Sequence, residues 1–299
     1  MPPMRPPLSA PAICEWTYSD GYRGKGRVWR ASDNKSDFAF LYFHGIQSHG
    51  GWYEWSGSLL ASLGSPVLMP DRRGSGMNTE QRGDVSDRQR WNSDVDDLVD
   101  WMRREWRVRR LGVIGVSWGG KLAAALALRT PEIVSHVLLV TPGIYPAVDV
   151  GVGGRLSIAA SLIAGGNSQH AIPLSDPNLF TDNPDAVAFI QNDEKKLTSA
   201  TARFLYQSAK FDGQLRRAKA NQLQCRATLV LAENDRIIRN EPTQQWAARI
   251  GGPNMNVVLM PGQSHTLEFA QDEKPFRKLL ETWGMSAVSE AARAKSRAT

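Results

Sequence analysis

Cysteine is nearly absent from this chain: Cys14 and Cys225 are the only two in 299 residues, and they form no CxxC. A disulfide framework and a cysteine-ligated zinc site are thereby excluded, and a reducing compartment is expected. Histidine is scarce too, with five in all and no His/Cys cluster at ligand spacing, so no metal centre is expected. No cofactor is expected either, because the short glycine pair Gly74-x-Gly76 lacks the lysine of a P-loop. Long apolar runs are missing. Residues 1–12 are proline-rich without the apolar core of a signal peptide. The most apolar later stretch, 156–164, is too short to span a bilayer. These absences predict a cytoplasmic protein with no integral membrane segment.

What is present is ordinary for a globular chain, with 41% hydrophobic and 22% charged residues. The formal charge of +6 invites a nucleic-acid reading. Its densest basic run, 103–110, falls where a helix should end, and cations there complement the helix dipole. No nucleic-acid motif accompanies it, so no nucleic-acid partner is expected. The composition leaves a homodimer open.

Strand and helix periodicities alternate along the chain. Residues 13–31 read as a hairpin turning at Ser19-Asp20-Gly21, and 38–43 as a strand buried on both faces. Trp55, Leu59, Leu60 and Leu63 recur at helical spacing before Gly64, and 67–69 form a short strand. Trp91, Val95, Leu98, Met102 and Trp106 mark one face of a longer helix. A strand over 111–116, a helix over 121–129 and a strand over 137–140 follow. Strands over 228–231 and 255–260 flank a helix near 246–250, and 276–283 read as a closing helix. Such alternation means an α/β fold with a mostly parallel central sheet and helices on both faces. Residues 144–217 break the rhythm with clustered Gly and Pro and no clear core strand. A stretch that long should carry its own helices, near 185–192 and 202–210, as an inserted cap. The core is then 13–143 and 218–285, and 286–299, small, polar and basic, read as a flexible tail.

The chemistry is carried by Gly115-Val116-Ser117-Trp118-Gly119-Gly120, placed between a buried strand and an Ala-rich helix. This is the setting of a nucleophile elbow, a strained turn that thrusts the serine hydroxyl above the sheet. A serine needs a base to take its proton. Of the five histidines only His265 lies just beyond the last strand; His44 ends a strand, His136 begins one and His170 falls in the cap. The acid should follow the preceding strand, where Glu233 and Asp235 both stand; Asp235 is preferred and Glu233 held in reserve. Two oxyanion donors are needed, and the backbone N–H groups of Trp118 and Ile46 are the candidates. Gly45 lets the backbone pass close to a substrate, while His44 and Asp71 are read as structural.

Together His44-Gly45-Ile46-Gln47, Asp71-Arg72-Arg73-Gly74-Ser75-Gly76, the 115–120 turn, Glu233-Asn234-Asp235-Arg236 and Ser264-His265-Thr266-Leu267-Glu268 stand in a telling order. The chain resembles the monoacylglycerol lipase/lysophospholipase branch of the α/β-hydrolase superfamily, over about residues 40–270. Trp118 departs from the Met or Gln more common there. The resemblance implies the α/β-hydrolase fold and a serine carboxylic-ester hydrolase acting on a small acyl ester through an acyl-enzyme, with a helical cap over an apolar acyl pocket. The same triad also serves thioesterases, acyltransferases and proline iminopeptidase-like aminopeptidases. An aminopeptidase would need a cap carboxylate for the substrate amine, for which Asp176, Asp182, Asp185, Asp193 and Glu194 are candidates. A non-catalytic binder would have no need of an activated serine.

Overall fold

The computed structural model describes residues 4–30 and 37–296. Ala31, at the end of the expected hairpin, and 297–299 of the expected tail lie outside the described residues, as do residues 1–3.

In chain order the elements are β1 (Ala12–Thr17), β2 (Arg23–Trp29), β3 (Phe38–Phe43), α1 (Glu54–Ala61), β4 (Val67–Pro70), α2 (Arg88–Trp106), β5 (Arg110–Val116), α3 (Gly119–Arg129) and β6 (Val134–Val140). Then come α4 (Val152–Ile163), β7 (Gln169–Ala171), α5 (Pro184–Asn192), β8 (Ser199–Thr201) and α6 (Ala202–Arg216). The chain closes with β9 (Arg226–Ala232), α7 (Asn240–Gly251), β10 (Met255–Met260) and α8 (Lys274–Ser296). Eight strands form one sheet in the order β1-β2-β4-β3-β5-β6-β9-β10. Only the β1–β2 and β2–β4 pairings are antiparallel; the rest run parallel.

Period-two alternation assigns the helices to faces. A Cβ at Gly112 of β5 would meet Phe38 and Phe40, and Phe40 packs on Trp283 of α8. A Cβ at Gly115, an odd number of residues on, would meet Ala123 of α3 instead. So α8, with α1 beside it, covers one face, and α3 covers the other. Trp91 of α2 joins α3 there through Trp118, with ring centroids 4.8 Å apart. The β3 run Phe38–Phe43 is buried along its whole length, as a strand covered on both faces requires.

The stretch between β6 and β9 holds α4, α5 and α6, and also a strand pair that sequence patterning does not reveal. β7 and β8 pair antiparallel over three residues each, too short for a visible alternation. The helix α6 is anchored in the core: Phe204 and Phe211 are fully buried, their rings 5.1 and 5.9 Å from Trp91. By contrast α4 buries none of its residues.

The expectation of a flexible tail from 286 onward is corrected. α8 continues to Ser296 with Ala287 and Ala291 buried, four residues apart on the face begun by Leu280 and Trp283. Glu290, on the same stretch, bonds Arg226 at 2.9 Å and lies 3.5 Å from His136. Small residues signalled a tail by composition, but at helical spacing they let the helix lie close against the sheet.

One buried acid fixes the turn after β10 to α1. Glu268 accepts hydrogen bonds from the Ser56 N–H at 3.1 Å and from the Ser56 hydroxyl. Burial pushes the Glu268 carboxyl up to about 7. Because the folded value exceeds the unfolded one, its contribution to stability is fully present below about pH 4.5 and is lost as pH rises toward 7. Relative to Glu268→Gln, the wild type should therefore lose on the order of 3 kcal/mol of unfolding free energy across that window. Urea melts of both proteins between pH 4.5 and 8 check this; parallel pH profiles would show that the carboxyl does not titrate there.

Candidate active site

Ser117 stands between β5 and α3 with φ 52°, in the left-handed region that side chains with a Cβ seldom occupy. Three backbone bonds hold it. Its N–H donates to Val140 O at 2.9 Å, and its carbonyl accepts from Gly120 N at 3.0 Å and Gly143 N at 2.8 Å. The neighbouring strand end leaves no room for a side chain at 119, where a Cβ would lie 2.4 Å from Phe43 O. Glycine at 119 is thus required by close approach of two backbones, β3 to the start of α3.

His265 lies in the turn after β10, its carbonyl accepting from the Thr141 hydroxyl at 3.1 Å. Its Nδ1 faces both oxygens of Asp235, at 2.9 and 2.8 Å. Asp235 Oδ1 also accepts from the N–H groups of Ile237 and Ile238, at 2.8 and 3.0 Å. With a carboxylate at Nδ1, the ring carries its proton there and presents a bare Nε2. Nε2 is buried and has no hydrogen-bond partner among the described residues. Glu233 does not join this group; it is exposed and accepts from the Gly262 N–H at 2.7 Å.

Ile46 follows Gly45 on the loop after β3. A Cβ at Gly45 would lie 3.7 Å from Ser117 Oγ, so this loop runs directly over the serine. The Ile46 carbonyl accepts from Arg72 Nη2 at 3.0 Å. Neither the Ile46 N–H nor the Trp118 N–H donates to a backbone or side-chain acceptor among the described residues. His44 Nε2 accepts from the Arg72 N–H at 2.9 Å and its Nδ1–H donates to Gly45 O at 2.8 Å. Burial, aided by the Arg72 charge, pulls the His44 ring down to about 3, so it is neutral at neutral pH. Asp71 is fully buried, gathering Gly50 N, Met77 N and Arg27. Both act on the loop's shape.

A cavity of about 490 Å³ opens beside Ser117, with Ile46 and Trp118 in its wall. Its lining is mostly aliphatic, including Ile158, Leu162, Ile172, Leu174, Leu205 and Ile238. Lys121, Ser208 and Asp212 also line it, and sequence reasoning passed over all three. Lys121 is one helical turn past Ser117, a spacing that could have flagged it. Ser208 and Asp212 come from α6, and no local signal joins them to it. Of the five cap carboxylates considered for binding an amine, none is in the cavity wall. Asp176 caps a turn through Asn178 N, Asp182 holds Arg236 and Ser264, and Asp185 sits at the start of α5. Glu194 is exposed.

Asp193 does something else. It accepts from Trp52 Nε1 at 2.7 Å and from His49 Nε2 at 3.1 Å, while His49 Nδ1 accepts from Gly51 N. Leu197 N donates to Gln47 O at 2.8 Å. The loop that carries Ile46 is therefore tied to the inserted segment by two separate bonds. His49 and Asp193 are far apart in sequence, so nothing local announces the pair.

Among the described residues no helix is long and apolar enough to cross a membrane, and no group of three or more His, Cys, Asp or Glu could hold a metal ion.

In fold the chain is similar to a soluble variant of monoglyceride lipase from Saccharomyces cerevisiae solved with a substrate analog. The TM-score is 0.82 at 15% identity, over 97% of this chain and 99% of that one. The monoacylglycerol lipase of Paleococcus ferrophilus gives 0.73 at 17% identity, over 93% and 100%. At these identities the likeness is one of architecture, and the architecture is that of the α/β-hydrolases expected from the sequence. In sequence, mouse monoglyceride lipase is 28% identical over 142 residues, 47% of this chain and 46% of its own length. The soluble epoxide hydrolase of Corynebacterium sp. strain C12 is 29% identical over 152 residues, 48% and 50% of the two lengths. The matches thus span about half of these relatives. The family match is longer: residues 34–272 fit Hydrolase_4, the serine aminopeptidase S33 model, and the chain belongs to that family.

Proposed function

We propose that this protein is a serine hydrolase that cleaves a small acyl ester carrying an apolar acyl chain, of the monoacylglycerol or lysophospholipid kind, through an acyl-enzyme on Ser117. Two observations support the reading: Ser117 stands in its left-handed turn at the cavity wall, and the His265 ring is held by Asp235 with its Nε2 unpartnered among the described residues. In this scheme His265 Nε2 takes the Ser117 proton as Oγ attacks the ester carbon. Asp235 fixes the ring's tautomer and steadies its imidazolium without taking the proton. The N–H groups of Ile46 and Trp118 receive the developing oxyanion. Collapse expels the alcohol, which takes the proton from His265, and water activated by the same ring then releases the acid.

The ester reading is favoured over an amide one by the cavity wall. Its carboxylates already have cationic partners, Asp149 in Arg155 and Asp212 in Lys121, so a substrate ammonium would find no unpaired negative charge there. The aliphatic wall suits an acyl chain, since each buried methylene contributes about 0.8 kcal/mol. The relatives bearing the monoglyceride lipase name lean the same way.

Ser117→Ala and His265→Ala should each lower kcat on p-nitrophenyl esters by roughly 10⁴-fold or more, and the double variant should be little worse than either. A fluorophosphonate should label Ser117 in the wild type; hydrolysis by a protein that resists the probe would move the nucleophile elsewhere. Asp235→Asn should cost about 10³–10⁴-fold in kcat. Glu233→Gln, remote from the ring, should cost less than about 10-fold, and a reversed ranking would transfer the acid's role. Leu162→Trp should shift the optimum in a series of p-nitrophenyl acetate to decanoate toward shorter chains. An unchanged optimum would show that the acyl chain lies elsewhere. Aminoacyl nitroanilides assayed in parallel test the peptidase reading.

A further inference from the structure

Besides the exposed Asp149–Arg155 pair, the apolar cavity contains a buried polar station that the triad does not use. Lys121 Nζ lies 2.6 Å from Asp212 Oδ1 and donates to Ser208 Oγ at 3.0 Å. The Trp118 indole N–H donates to the same Ser208 oxygen at 2.9 Å. Lys121, Ser208 and Asp212 are 4, 7 and 6% exposed, and each lines the cavity together with Ser117. With two donors on its oxygen, Ser208 has its own O–H left to give. Asp212 Oδ2 accepts no hydrogen bond from the described residues, so an acceptor stands beside that donor.

Holding the cap to the core does not account for this cluster. Burying an ion pair costs more in desolvation than it returns unless its geometry and partners are excellent, and an apolar pair of similar volume is often as stable. Adhesion at this contact is already supplied by Phe204 and Phe211 packed on Trp91 and by Phe204 stacked on Trp118. An unsaturated donor–acceptor pair in an aliphatic wall is suited instead to a ligand group that donates and accepts at once. The Lys121–Asp212 pair sums to zero charge and stands in a mostly aliphatic wall, where a neutral hydroxyl costs far less to desolvate than a further charge.

We propose that Lys121, Ser208 and Asp212 form a specificity site for a hydroxyl group on the substrate, close to the scissile carbonyl. The hydroxyl would donate to Asp212 Oδ2 and accept from the Ser208 O–H. This proposal rests on the ester-hydrolase reading above. The hydroxyl belongs either to a polyol leaving group or to a hydroxylated acyl chain, and two matched ester pairs separate these sources. One pair is 1-decanoylglycerol and propyl decanoate. The other sets p-nitrophenyl esters of decanoic acid hydroxylated between carbons 3 and 8 against p-nitrophenyl decanoate.

Wild-type protein should prefer the hydroxylated member of one pair by about 10-fold or more in kcat/KM, as expected for a hydrogen bond to a charged group. The pair that shows the preference names the source. The ratio should fall to about 1 in the Lys121→Met/Asp212→Leu double variant, whatever happens to the rate common to both esters. It should fall partly in Ser208→Ala, which keeps the ion pair and decides the matter if the double variant does not fold. A wild-type ratio near 1 for both pairs overturns the proposal, and so does a ratio that Ser208→Ala leaves intact. Loss of both esters together, with no labelling of Ser117 by a fluorophosphonate, would instead mark failure of the ester reading and take the proposal with it.

Discussion

A left-handed backbone at a residue with a Cβ costs about 1–2 kcal/mol, and this chain maintains one at Ser117. The turn survives because its surroundings leave no other conformation. Val140, Gly120 and Gly143 each take or give a backbone bond to it, and β3 presses against Gly119. Release of that turn would move the hydroxyl relative to the 44–46 loop that runs over it. The other site groups are placed relative to this point: His265 by Thr141 and Asp235, and Ile46 by the glycine beside it that runs over the serine.

Around this turn, charged groups are used in the interior as positioning devices. Asp71, His44 and Arg72 shape the 44–46 loop from below. Asp193 grips the same loop through His49. Each is a directional contact in a region otherwise packed by non-directional apolar surfaces. Desolvation makes such pairs poor sources of stability, yet they fix geometry where a slip of an ångström would matter.

Much of this was legible in the sequence, for identifiable reasons. The buried strands read as apolar runs, and the helices α2 and α3 as periodic stripes, because a two-faced sheet forces both patterns. The left-handed turn at Ser117 and the pairing of His265 with Asp235 were readable because the strand–turn–helix setting and the order of strands constrain them locally. What escaped was the long-range pairing: His49 with Asp193, and Lys121 with Ser208 and Asp212. These pairs depend on how the inserted segment folds back over the core, which periodicity does not encode. The continuation of α8 escaped for a different reason, since Ala287 and Ala291 have too little apolar surface to mark a face except where they lie against a sheet.

The inserted segment is built of two unlike parts. α6 contributes Phe204 and Phe211 to the same aromatic cluster that holds Trp91 and Trp118, so it is a wall of the core in all but chain order. α4 contributes nothing buried and forms the outer side of the cavity through Ile158 and Leu162. Local opening is easiest where few apolar contacts are lost. The two helices therefore differ in how freely the chain can vary. Exchanging α4 for a segment of other length or shape would redraw the cavity while leaving the fold's stability nearly untouched, whereas the same exchange at α6 would dismantle the packing around Trp91 and Trp118. This chain can therefore change the outer wall of its cavity through one helix and must keep the other to stay folded.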